Sequence, residues 1–415
     1  MVFLCCLIVL RGQLYFYSDG GDPTMKKLLA AILCLAMICV CFAGCGEQQS
    51  ADADKVIKIG VFEPASGANG AGGKQETLGV EYAHSKQPTV DINGETYKVE
   101  LVEVDNQSAD DKAVTAAAEL VNSKVSVVLG SYGSSVSIAA SPTFEEAGIP
   151  AIGITCTNTQ VTEGNKHYFR ICFLDPFQGS VLAKYAWDNG ITKAYTLAEL
   201  GNAYDLGLAS SFKTAFEALG GTVTAENFPT NQADFTSYIT NAKNSGAQAI
   251  FSPTSISYAQ LIVEAAATQG LSIPIYAGDT WDSNVILEAA KGKNVTINIT
   301  TFYQEGGNAE FDNGFKAWLN SDSKRLTNNG GNDIVSAVSA MGYDSYFVAI
   351  EAIKKAASSD PKKINEALWG VQYTGVTGEI KFDSVNGDAE RKIAYIKAAD
   401  TATGEWKFVK EQGVE

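Results

Sequence analysis

VSVVLGSYGSSVSIAASPTFEEAGIPAIGIT, residues 125–155, decides the fold. It opens on a β-branched apolar run (VSVVLG, 125–130), passes a turn of small residues, and continues as SSVSIAASPTFEEAG, with helical apolar spacing and Gly148 at its end. IPAIGIT (149–155) then repeats the character of the first run. Two strands apolar on both faces, joined through a helix, predict a parallel pair covered by helices on each side.

The same grammar extends in both directions. VIKIGVFE (56–63) and YKVELVEVD (97–105) read as strands upstream, AAAELVNSK (116–124) is helical between YKVELVEVD and VSVVLG, and FRICF (169–173) closes a first block. After Phe177-Gln178-Gly179 the alternation restarts. AYTLAEL, TVTAENF, AQAIFSP and IPIYAGD are strands, and the helical segments DLGLASSFKTAFEALGG, DFTSYITNAKNSG and SYAQLIVEAAATQG each carry a glycine near the end. Two α/β domains of related architecture follow. NVTINITTFY, the helix EFDNGFKAWLN, the long helix over 334–357, and the strands GEIKFD, RKIAYIKAAD and EWKFVKE are expected to complete both sheets, the chain crossing between domains more than once.

A chain of 415 residues is long enough for two cores, and its net charge is −16. That surface repels phosphate backbones and anionic lipid, which argues against nucleic-acid binding and makes any membrane attachment covalent. The attachment is legible near the N-terminus. Lys26 and Lys27 precede an apolar run of 16 residues over 28–43, below the roughly 20 a membrane span needs. Phe42-Ala43-Gly44-Cys45 resembles a bacterial lipobox, which makes Cys45 the expected lipidated residue. GEQQSADAD after it suits a flexible tether. Residues 1–24 fit no leader, and Met25 is the expected start. Five of eight cysteines precede Cys45, leaving Cys156 and Cys172 either to pair outside the cytoplasm or to serve as small apolar residues.

Signs of catalysis are sparse. His84 and His167 are the two histidines, each read as a surface or packing residue. The turn Gly130-Ser131-Tyr132-Gly133-Ser134 misplaces the glycines of a nucleophile elbow. SGANGAGGK (66–74) lacks the GK[ST] end of a phosphate loop. No enzyme, cofactor or metal is expected.

Ligands of open α/β sheets sit beyond the carboxyl ends of strands. There the first block places Ser131-Tyr132-Gly133-Ser134-Ser135 at a helix start and Thr155-Cys156-Thr157-Asn158 after IPAIGI. Free helix N–H groups beside hydroxyls suit a carboxylate, unless the serines simply cap the helix. The second block places Gly201-Asn202-Ala203-Tyr204-Asp205 and Asp279-Thr280-Trp281-Asp282 at the same ends. Carboxylates with aromatics suit an ammonium group, unless Asp279 and Asp282 cap the next helix and Tyr204 only packs. Anion-holding groups facing cation-holding groups describe a receptor for a zwitterion.

VLGSYGSSVSIAASPTFEEAGIPAIGITCTNTQVT, FRICFLDPFQG, AYDLGLA and GDTWDS resemble the branched-chain amino-acid-binding proteins of ABC importers, in order from Lys55 to the C-terminus. The resemblance implies a type I periplasmic-binding-protein fold, two doubly wound parallel-sheet lobes joined by a three-crossover hinge. It divides the chain into a leader (1–44), a tether (45–54), a first lobe (55–175 plus 302–390) and a second (176–301 plus 391–415). It implies that Ser134, Ser135, Thr155 and Thr157 hold a carboxylate and that Tyr204 closes from the second lobe. Strict spacing lands Thr280 where relatives carry the acid for the amino group, so Asp279 or Asp282 would substitute. It lands Gly72 where relatives often place an aromatic, so Phe62, Tyr132 or Trp281 would supply that wall. The implied partners are an amino acid, a permease and its ATPase subunits; the implied state is a lipid-anchored monomer on the outer face of the cytoplasmic membrane. A sensor for amides or urea-like solutes is the alternative.

Overall fold

The computed structural model describes residues 55–414, so the leader, Cys45 and the tether lie outside the described residues. The first sheet is built from β1 (Val56–Glu63), β2 (Thr89–Ile92), β3 (Glu95–Asp105), β4 (Val127–Leu129), β5 (Ala151–Gly153) and β6 (Tyr168–Arg170). Its order is β2-β3-β1-β4-β5-β6, parallel except for β2, which folds back on β3. At four residues, β2 is too short to announce itself in sequence. The second sheet takes β7 (Lys193–Glu199), β8 (Thr222–Phe228), β9 (Ala249–Phe251), β10 (Ile275–Ala277) and β11 (Ile297–Thr301), all parallel. β12 (Gln372–Gly375) and β13 (Gly378–Lys381) form a hairpin of their own. β14 (Ala394–Asp400) and β15 (Glu405–Gln412) then add antiparallel strands beside β11. GEIKFD thus completes neither main sheet, contrary to the sequence expectation, because its nearest partner is the strand that precedes it with two residues between.

The chain passes between the sheets three times, over 171–174, after Thr301, and over 382–393. Both sheets belong to one compact unit. Each is filled by the buried aliphatics that made its strands legible: Ile57, Ile59 and Val61 in the first, Ile275, Ile297 and Ile299 in the second.

The glycine-rich stretch after β1 is not a phosphate loop but the first turn of the helix Gly70–Lys86. This helix lies against Ala337–Ala356 so closely that a Cβ at Gly79 would sit 2.0 Å from the Ser339 carbonyl oxygen, and one at Gly342 2.3 Å from that of Glu76. Glycine costs helix stability of about 1 kcal/mol, and here the cost admits backbone-to-backbone packing that no other residue would fit. Ser339 seals the contact by donating to the Gln75 carbonyl at 2.7 Å.

Cys156 and Cys172 are free thiols, both buried. They sit in different apolar clusters, Cys156 with Phe62 and Phe144, Cys172 with Phe169 and Phe173. His84 packs edge-on against Tyr346 and bonds the Val99 carbonyl at 3.0 Å. No helix among the described residues is long and apolar enough to cross a membrane.

Candidate functional site

The carboxyl ends of both sheets face each other across a cavity of about 240 Å³. Tyr132, Ser134 and Ser135 line it from the first sheet, and Glu199, Tyr204 and Thr280 from the second. A larger groove of about 890 Å³ lies beside the helix Gly70–Lys86, but every residue lining it belongs to the first sheet and its own helices. Only a space with walls from both sheets can couple a ligand to lobe closure.

The helix Ser134–Ala147 opens on this cavity with no side-chain cap. The serine hydroxyls are not capping their own helix: Ser134 Oγ accepts from the Asn158 N–H at 3.2 Å, and Ser135 Oγ accepts from the Ala203 N–H of the opposite sheet at 2.8 Å. The positive end of the helix therefore points into the cavity with its first N–H groups uncapped by side chains, a setting for an anion.

Thr155 and Thr157 stand one layer deeper. The Thr155 hydroxyl donates to Glu76 Oε1, and Thr157 faces the Asp175 carboxyl, which burial pushes up to about 7 against the pull of that hydroxyl. Beside them Glu63 and Glu76 form a buried carboxyl pair. Desolvation lifts Glu63 well above the usual range and Glu76 to about 8, so the pair keeps a proton near neutrality. Glu63 Oε2 accepts the Tyr132 N–H at 2.8 Å and so fixes the loop that carries Tyr132.

Gly72 and Tyr132 form one structural unit. A Cβ on Gly72 would lie 2.4 Å from Tyr132 Cε2 and 2.5 Å from Cζ, so the missing side chain is the space the phenol ring occupies. The Tyr132 hydroxyl crosses to the second sheet and donates to the Thr280 carbonyl at 3.1 Å. Phe62 is fully buried against Phe144 and lines no part of the cavity.

In the second sheet Tyr204 reaches the cavity, its helix capped by Asn202. Its hydroxyl donates to Asp279 Oδ1 at 3.0 Å, which also accepts from Gln178 Nε2 at 2.8 Å. Burial raises Asp279 to about 7, these donors opposing it. Asp279 thus backs Tyr204 rather than facing the cavity. Asp282 and Trp281, also expected at the site, do not line it either. Asp282 Oδ2 is taken by Lys397 at 2.9 Å and by the Thr301 hydroxyl at 2.5 Å, a buried ion pair that lies outside the cavity lining. Trp281 is fully buried among core residues, with Nε1 donating to the Thr254 carbonyl at 3.1 Å, and supplies no wall. Neither aspartate caps the next helix, since Ser283 does so.

Further bonds join the sheets. Asn158 Nδ2 donates to the Ala203 carbonyl at 2.7 Å. Asn69 Oδ1 accepts the Ile256 N–H at 3.1 Å while the Ala68 carbonyl accepts that of Ser257 at 3.1 Å, so a first-sheet loop caps a second-sheet helix. Asn69 also donates to Ser255 Oγ at 3.2 Å. The described structure is a closed one.

Two parallel α/β sheets, three crossings and a cleft at the strand ends agree with a match of residues 56–403 to the periplasmic binding protein family model. The chain belongs to the periplasmic binding protein family. Among its relatives is an amino acid binding protein of Pseudomonas aeruginosa, 30% identical over 388 residues, covering 92% of this chain and 97% of the relative. A crystal structure of the leucine binding protein LivK of Thermotoga maritima superposes with a TM-score of 0.75 at 29% identity, covering 86% of this chain and 99% of that one. A solute binding protein of Rhodopseudomonas palustris in complex with p-hydroxybenzoic acid shares the fold, with a TM-score of 0.72 at 23% identity over 87% of this chain and 98% of that one. The type I fold of this periplasmic binding protein is therefore that of LivK.

Sequence reading passed over several lining residues, Asn69, Ser255 and Tyr258 among them, and the one charged lining residue among those described, Glu199. It lay in plain view at the end of AYTLAEL, but a strand-terminal glutamate carries no motif, and only the pairing of the sheets turns it inward.

Proposed function

We propose that this protein captures an amino acid or similar zwitterion between its two lobes and delivers it to the permease of an ABC importer. In this reading it works as a monomer, lipid-anchored through Cys45 to the outer face of the cytoplasmic membrane. One observation carries the reading. The uncapped N-terminus of Ser134–Ala147 faces, across a closed cavity, the polar and acidic strand ends of the other sheet. The carboxylate is assigned to the N–H groups and hydroxyls of Ser134 and Ser135, with Thr155 and Thr157 shaping the layer behind. Tyr204 and Tyr132 close over the ligand, and Asp279 orients Tyr204. The names of the Pseudomonas and Thermotoga relatives support the amino-acid class. Opening and closing about the three crossings would couple ligand binding to recognition by the permease.

A second reading, a receptor for amides or other small polar solutes, draws on Thr280, a neutral residue lining the cavity where spacing called for an acid. A thermal-shift screen against amino acids, amides, small peptides and sugars separates the two. A ligand at a hundred times its Kd adds about 2.7 kcal/mol, enough to raise the melting temperature by several degrees. Amino acids alone giving the shift supports the first reading; amides alone supports the second. Loss of uptake on deletion of the gene tests delivery to a permease.

A further inference from the structure

Among the described residues Glu199 is the one carboxylate lining the cavity, and no lysine, arginine or histidine lines it. We propose that Glu199 is the counter-charge for the ammonium group of the ligand, the role for which Asp279 or Asp282 was expected to substitute when spacing landed on Thr280. The proposal rests on the amino-acid reading above and deepens it, since it makes an amine a requirement for tight binding.

Geometry supports it from three sides. First, Glu199 ends β7 at the cleft and is nine-tenths buried, yet its bonding partners are neutral: the Tyr258 hydroxyl donates to Oε1 at 3.0 Å and Asn202 Nδ2 to Oε2 at 3.3 Å. A carboxylate has about four acceptor sites, so two neutral donors leave both capacity and charge unspent. Second, the titratable side chains around it are acidic. Asp205 receives the Glu199 N–H at 3.0 Å, and the Glu199 charge is felt at both Asp205 and Asp110. Among the described residues, no cationic side chain lines the cavity to spend the Glu199 charge. Third, the carboxylate end of the cavity is close by. Ser135 Oγ holds the N–H of Ala203, and the residue before it, Asn202, holds Glu199. One short chain of contacts thus links the uncapped helix N-terminus to the acid, so a single small zwitterion can meet both.

The test pairs amino acids with their des-amino acids: L-alanine with propanoate, L-leucine with 4-methylpentanoate, L-glutamine with 4-carbamoylbutanoate. Affinities are measured by calorimetry on the wild type, Glu199→Gln and Glu199→Asp. The wild type should bind at least one amino acid about 100-fold more tightly than its partner acid. Glu199→Gln should weaken amino-acid binding at least about tenfold and leave the acid unchanged or tighter, because only the amine loses its partner. Glu199→Asp, which withdraws the carboxylate by one methylene, should weaken the amino acid alone and to a smaller extent, and it serves if Glu199→Gln does not fold. A wild type that prefers amino acids, with the preference intact in the variants, overturns the Glu199 assignment and leaves the amino-acid reading standing. A wild type that binds the acids as well as the amino acids, or binds neither, overturns both.

Discussion

Replacing Gly72 by alanine should destabilise the protein, although the same change in an ordinary helix interior stabilises it. The helix-propensity gain is about 1 kcal/mol. Against it stands the new Cβ, 2.4 Å from Tyr132 Cε2 and 2.8 Å from its hydroxyl oxygen. Carbon atoms rest about 3.5–4.0 Å apart, so the ring must retreat by about 1 Å. It cannot do so freely, because Tyr132 is buried and its hydroxyl is held by the Thr280 carbonyl at 3.1 Å. Overpacking of this kind costs about 1–3 kcal/mol, and loss of the hydroxyl bond about 0.5–1.5 kcal/mol more. The net expectation is a loss of about 1–3 kcal/mol and a melting temperature lower by a few degrees. Tyr132→Ala in the same chain should remove the clash, so the double variant should lie closer to Tyr132→Ala alone than additivity predicts. Denaturant melts of the four proteins measure the coupling. A Gly72→Ala protein that is more stable than wild type, with no coupling to Tyr132, would refute the reasoning.

Three further outcomes follow from single contacts. Lys397→Ala leaves Asp282 buried without its cation and should cost about 3–5 kcal/mol, read by denaturant titration, while a double change to apolar residues should recover much of it. Asn69→Ala removes the cap that the first sheet lends to the helix Ile256–Thr268, worth about 1 kcal/mol, and should shift the ligand-free protein toward a larger radius of gyration by small-angle scattering. Glu76, Asp175 and Asp279 have folded-state pKa values raised by burial to about 8, 7 and 7, so the folded chain binds more protons than the unfolded one across that range. Their contribution to stability is complete below the unfolded carboxyl range and is lost as pH climbs toward 8. The melting temperature should therefore be higher at pH 5 than at pH 8, and the opposite slope would show these acids ionised in the folded state.

Fold and family lay open in the sequence because both depend on local pattern. Val127–Leu129 and Ala151–Gly153 are apolar on both faces, and that requires helices on each side of a parallel sheet. The strand ends bearing Ser134, Ser135, Tyr132 and Tyr204 were legible for the same reason, since a ligand site in such sheets lies where strands give way to helices. What sequence left undecided was the use of each acid. Asp279, Asp282 and Glu199 are three carboxylates at similar strand ends, and nothing local separates them. Long-range contacts do: Lys397, 115 residues away, neutralises Asp282; Gln178, 101 residues away, engages Asp279; and Glu199 is left facing the cavity with neutral partners. Likewise the reason for glycine at 72, 79 and 342 lies in the surfaces they meet, which are set by contacts distant in sequence. Periodicity records which face of an element is buried, whereas the partner that buries it is set by the closing of the whole chain.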